Sequence, residues 1–182
     1  MALTENSLWV RARRSYELGR LRATIRDSSV VAPIVAVGAL RHANWWLILA
    51  TGSMLFAVTT LSSWRGESWG RAVWPGYLAG VVPLLIPSLA PAKSVCWIGG
   101  SCWSVCALLC PVSGLIAGLA VGVLATRQEE GRLPFLAAAT LIAEITGAIG
   151  CALAGFMGIA GMVAGGLLGL VPVYLGAQLR RA

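Results

Sequence analysis

Few residues of this chain could do chemistry. Glu144 is the one ionisable side chain deep in an apolar stretch, about midway along 133–154. An acid at that depth is costly. It serves a proton relay or a cation site, or in neutral form it bonds helices together. Arg132 is twelve positions away, ~18 Å along a helix, and cannot reach it. Thr140 lies one turn earlier, and Ser113, Tyr174 or Thr59 are the hydroxyls that other segments could supply. One acid with neither a basic partner nor a second acid makes a thin transport site.

The other reactive residues are five cysteines and a single histidine, His42. Cys96 precedes a Gly99-Gly100 turn, and Cys102 and Cys106 follow it at the start of an apolar helix. Cys151 lies near the end of a later one. The hairpin-like ordering of those segments puts all four near one face of the membrane. They are expected to form at least one disulfide, with Cys151 joined to Cys102 or Cys106. A thiolate metal cluster is the rival reading, requiring tetrahedral geometry and ~2.3 Å metal–sulfur bonds. Cys110 is deeper and is expected to pack as a small hydrophobe. No P-loop, H-E-x-x-H or nucleophile-elbow pattern occurs. No cofactor, no resident metal and no catalytic residue is therefore expected, and the chain reads as a non-enzyme.

These residues are carried by a chain that is 58% hydrophobic and only 12% charged, with mean hydropathy +0.80. Soluble domains carry about twice that charge. The composition leaves room for a membrane helix bundle and a short polar arm. The stretch 102–125 shows the pattern most plainly. Cys102, Cys106, Cys110, Gly114, Gly118 and Gly122 recur every fourth residue. Small residues at that spacing let helix backbones approach closely in lipid. Each step of four advances ~400°, so five steps rotate the ridge by about 200°. One straight partner cannot cover all of it, and the cysteine and glycine halves are expected to meet different neighbours. Two more small-residue seams follow, Gly147 among them in the first and Gly161, Gly165 and Gly169 in the second. The pattern is that of a glycine zipper, and it allows a homo-oligomer.

In chain order, residues 4–27 predict a short basic amphipathic helix, with Arg11, Arg13, Arg14, Arg20 and Arg22 prominent on it. Such helices meet anionic lipid or an acidic protein, and a nucleic-acid role is not expected beside a membrane. No apolar leader of the signal-peptide kind is visible. Deleting 1–27 is expected to leave the bundle folded. The approximate spans are 28–43, 45–63, 72–91, 102–125, 133–154 and 157–179. The first is short for a crossing of ~20 residues, and 72–91 is punctuated by Pro75, Pro83, Pro87 and Pro91.

Charge decides between five and six spans. Five spans starting at Trp45 set six basic residues against eight, and export the arginine-rich N-terminus. Letting 28–43 cross as well sets twelve against two, with only Arg41 and Lys93 opposite. The positive-inside rule then favours six crossings with both termini cytoplasmic in a bacterial inner membrane. The cost of thinning the bilayer around a short span is fractions of a kcal/mol per Å. The functional expectation is a regulatory or scaffolding bundle with a basic arm. A small proton- or cation-linked transporter using Glu144 is the alternative, and a redox or soft-metal protein the second.

Overall fold

The computed structural model describes residues 2–40, 45–89, 95–96, 102–103, 105–128, 130–151 and 156–179. The described chain is helical apart from one hairpin of two-residue strands. Its elements are α1 (Ala2–Ser29), α2 (Val31–Ala39), α3 (Trp45–Arg65), α4 (Glu67–Arg71), α5 (Val73–Leu89), β1 (Val95–Cys96), β2 (Cys102–Trp103), α6 (Val105–Thr126), α7 (Arg132–Cys151) and α8 (Phe156–Leu179). Among the described residues four helices are long and apolar enough to cross a membrane: Trp45–Arg65, Leu109–Thr126, Arg132–Cys151 and Gly158–Leu179. The outward faces of α3 and α8 carry Leu49, Met54, Phe56, Leu61, Leu167, Leu168 and Leu175, all exposed. A helix that is apolar on both its packed and its open faces is built for lipid.

The contacts between helices fix their directions. Asp27 meets Ser63, Ser28 meets Thr60, and Gly38 faces Ile48. So the α1–α2 segment runs antiparallel to α3. Gly76 packs on Ala139 and Ile142, Gly80 on Ala143 and Thr146, and Gly150 on Pro83 and Leu84. Helix α5 therefore runs parallel to α7. Pro111 lies beside Gly165, Gly118 beside Gly166, and Gly122 beside Val173, so α6 runs parallel to α8. The α5–α6 hairpin thus lies on the α7–α8 hairpin in the same sense. The motif G-x-x-A-G-x-x-x-G occupies 114–122 of α6 and recurs at 161–169 of α8. These two stretches are the ones that touch.

The glycine half of the α6 ridge packs wholly on α8. Gly114, Gly118, Gly165 and Gly169 each face backbone carbonyls across the interface, so close that a methyl group at any of them would overlap an oxygen. Cys110, from the other half, sits with Cys151 of α7 and Met162 of α8. The side chains of Cys102 and Cys106, the rest of that half, lie outside the described residues. The hub of the bundle, however, is α7 and not α6. Phe135, Ala139, Ile142, Thr146, Ile149 and Cys151 are all buried along it.

The N-terminal helix differs from the short amphipathic arm that its sequence suggests. It runs for 28 residues and passes into α2 through Val30, whose φ of −66° and ψ of −23° remain helical. Nothing between Asp27 and Val31 breaks it. Pro33 cannot donate to the Ser29 carbonyl, so one intrahelical bond is missing at the join while the backbone stays helical; the Ser29 hydroxyl donates to Arg26 O at 2.7 Å. Its exposed apolar residues do not gather on one face. Leu18, Leu21 and Ile25 share one flank, while Trp9 and Tyr16 lie on the opposite one, at ~100° per residue.

Two corners reverse the chain at the end of the bundle where Asp27 and Ser63 meet. Gly66 (φ +69°, ψ −155°) and Glu67 (φ +47°) turn α3 into α4. The Gly66 conformation is essentially glycine-only. The α6–α7 turn is held by Arg132, whose Nε donates to Gln128 O at 2.6 Å and whose guanidinium also donates to Thr126 O at 3.0 Å. Here an arginine satisfies the carbonyls left over at a helix C-terminus.

Candidate functional site

Glu144 lies in the middle of α7, on the side facing α8. Its Oε2 is buried with no hydrogen-bond partner, and a Cβ at Gly166 would collide with its Oε1. Gly166 is therefore the residue that makes room for the carboxyl. The hydroxyls expected to reach Glu144 from other helices are engaged elsewhere. Ser113 donates to Cys110 O at 2.9 Å, Thr59 bonds the Tyr77 hydroxyl at 2.8 Å, and Tyr174 accepts from Gln178 at 3.1 Å. Thr146 Oγ1 is a second buried polar atom without a partner. It points the other way, toward Gly80 of α5, because two positions along a helix are ~200° apart.

The cysteines divide into two places. Cys96 and Cys102 are register partners in the β1–β2 hairpin. Their side chains, and that of Cys106, lie outside the described residues, and so do the expected disulfides that involve them. Among the described residues Cys151 packs with Cys110 and Met162. Both cysteines are buried. Of the small-residue seam, Gly114, Gly118, Gly165 and Gly169 meet backbone, Gly122 meets Val173, Gly161 rests on Pro111 at ordinary distance, and Gly147 is roofed by the Met162 thioether.

The arm is anchored at one end and free along the rest. Residues 9–19 are exposed on every side, among them Arg11, Arg13 and Arg14, while Arg22 is exposed further along. The Arg13–Glu17 pair at 3.0 Å is an exposed helix pair of the kind worth only ~0.3–0.5 kcal/mol. From Arg20 onward the helix is clamped. Arg20 stacks over Trp64 at 5.1 Å and Arg26 over Trp74 at 5.8 Å, with Arg65 over Trp69 at 4.9 Å close by. Cation–π pairs of this type contribute ~0.5–1 kcal/mol each when exposed. Beneath them Ser63 donates to the Asp27 carboxylate at 2.8 Å. Tyr77 donates to the Asp27 carbonyl at 3.3 Å and accepts from Thr59. A cleft of about 550 Å³ lies beside this knot, with Arg20, Asp27, Glu67 and Arg71 on its walls.

Sequence reasoning missed this polar knot between α1, α3 and α5. Asp27, Thr59, Ser63 and Tyr77 have no spacing that links them. Only the antiparallel register of α1 on α3 brings 27 to 63. Replacing Tyr77 by Phe leaves the buried Thr59 hydroxyl without its partner. That variant is expected to lose about 1–2 kcal/mol, read as a lower thermal midpoint in detergent with the helical content kept.

No family model matches the chain, and no curated protein or solved structure matches it either.

Proposed function

We propose that the chain is a non-catalytic protein of a bacterial inner membrane, a regulatory or scaffolding bundle of six embedded segments whose basic arm receives an acidic cytoplasmic protein. The observation that carries this reading is the continuity of the first helix. The free half of α1, residues 9–19, is one rod with the segment that packs on α3 and α7. A partner that moves the arm therefore moves a bundle helix. At ~100° per residue Arg11, Arg13 and Arg14 fall within about 160° of the free rod, a cationic face that suits an acidic partner.

The alternating helix directions support six embedded segments. They gather Arg26, Arg65, Arg71, Arg127 and Arg132 toward the end where Asp27 meets Ser63. By the positive-inside rule that end is cytoplasmic, and both termini belong to it. The boundary of the arm falls earlier than residue 27, because Arg20, Arg26 and Asp27 are part of the anchor.

Deleting residues 1–19 is expected to leave a monodisperse, helical bundle in detergent. A photo-crosslinker at position 16 of the full chain is expected to capture an acidic soluble protein in cells. Capture of lipid alone would replace the partner reading with a membrane-surface one. A phosphatase reporter active when fused after residue 20, and a fluorescent reporter dark at the C-terminus, would invert the topology.

A second reading has its own observation, the unpartnered Oε2 of Glu144 beside Gly166. An intramembrane acid in a helix seam is a default proton or cation site. Flux of protons or monovalent cations through vesicles holding the purified chain, abolished by Glu144→Gln, would establish it.

A further inference from the structure

Three consecutive helices each bring one sulfur-bearing residue to a single buried cluster. Cys110 of α6, Cys151 of α7 and Met162 of α8 form a closed cluster, with 0%, 0% and 1% of their surfaces exposed. The two cysteines pack in the same buried cluster. Met162 is directed at them by Gly147, which lies one turn before Cys151 on the same face of α7. A Cβ on Gly147 would stand 2.6 Å from the Met162 sulfur. The glycine is thus the reason the thioether can lie against α7. The backbone of Met162 is itself pinned from the other side, since its carbonyl abuts Gly114 of α6. Met162 is therefore held by close packing on both α6 and α7.

We propose that Cys110, Cys151 and Met162 form a binding site for one soft, thiophilic metal ion, with Cu(I) as the type. Thiolate and thioether ligands select Cu(I) over harder ions, which prefer oxygen and imidazole. Cu(I) enters as a thiol it binds gives up its proton to solvent. Exchange of one thiol proton for one monovalent ion leaves the site uncharged, which a low-dielectric interior favours. Binding is then expected to weaken as pH falls, because protons compete for the same sulfur. The site does not depend on the function proposed above for the arm or for Glu144.

The test uses the full chain, reduced and in detergent, titrated with Cu(I) held by the chromophoric chelator bicinchoninate. Replacing Cys96, Cys102 and Cys106 by Ser removes the other thiols. That triple variant is expected to take one Cu(I) per chain from the chelator, with only sulfur in its X-ray absorption shell. Adding Cys110→Ala or Cys151→Ala is expected to weaken binding about 100-fold or more, beyond the 10–100-fold of an outer-shell change. Met162→Leu keeps the volume and the packing. It is expected to weaken Cu(I) less than either cysteine change and to admit a nitrogen or oxygen neighbour to the absorption shell. Alanine at a buried cysteine is a small change, and circular dichroism with size exclusion checks that each variant folds. If the triple variant does not fold, the wild-type chain is compared with Cys110→Ala and Cys151→Ala, and loss of one bound Cu(I) is the expected result. The proposal is overturned if folded protein takes no Cu(I), or if Cys110→Ala and Cys151→Ala together leave uptake unchanged. It is also overturned if mass spectrometry of protein alkylated in native membranes finds Cys110 joined to Cys151 by a disulfide.

Discussion

Gly118→Leu is expected to dismantle the bundle. The Gly118 position faces the Gly166 carbonyl so closely that even a methyl group would overlap it. The obstacle is backbone, so no side chain can rotate away to admit a larger residue. Helices α6 and α8 would have to separate along the whole row from Pro111 to Val173. Overpacking in ordinary cores costs about 1–3 kcal/mol, and this site lies at or above the top of that range because the neighbour cannot yield. Gly165→Leu meets the Pro111 carbonyl in the same way and should behave alike. The expected readout is loss of the monodisperse detergent-extracted protein, or a thermal midpoint many degrees lower. Gly19→Ala is the control. Nothing lies within 4 Å of its missing Cβ, and alanine in an exposed helix interior is better by ~1 kcal/mol. A bundle that tolerates Gly118→Leu as well as it tolerates Gly19→Ala would refute the α6–α8 packing described here.

The second large effect has the opposite sign. Glu144→Leu is expected to stabilise the bundle. A buried oxygen without a partner costs about 1–3 kcal/mol, and Oε2 is such an atom. Leucine occupies similar volume and has no polar group to satisfy. The shape of the slot at Gly166 is kept, so the gain should approach the penalty removed. A thermal midpoint raised by several degrees is the expected result. A midpoint that falls would mean that the carboxyl gains a partner in the membrane, such as an ion or a bound water. That outcome would move weight to the transport reading, where Glu144→Gln and the vesicle flux assay decide. The two experiments read different quantities, so a stable but transport-dead Glu144→Leu protein is a coherent result.

Both predictions rest on glycine, but the sequence marks the two kinds of glycine unequally. The every-fourth spacing of Gly114, Gly118 and Gly122 announces a close helix contact. Gly166 falls outside any four-residue series with Gly161, Gly165 and Gly169. Its role, room for an acid one helix away, is visible only once α7 and α8 are packed.

Composition and periodicity by themselves determined that this is a helical protein with helices fit for a membrane. The physical reason is that twenty apolar residues without charge have one favourable solvent, and a helix satisfies its own backbone there. They also marked the glycine seams and the place of Glu144 midway along its apolar helix. Tertiary structure alone decided three things. It decided that α7 is the hub, because burial depends on how many neighbours surround a helix and not on its own hydropathy. It decided that the basic arm is a continuous extension of a bundle helix, because Asp27 and Ser63 meet only through the antiparallel register of α1 on α3. And it decided that Cys151 keeps company with Cys110 and Met162. The expected pairing of Cys151 with Cys102 or Cys106 falls on side chains outside the described residues. Cys110 and Cys151 lie 41 positions apart on α6 and α7, and their contact is set by which faces of those helices turn toward α8.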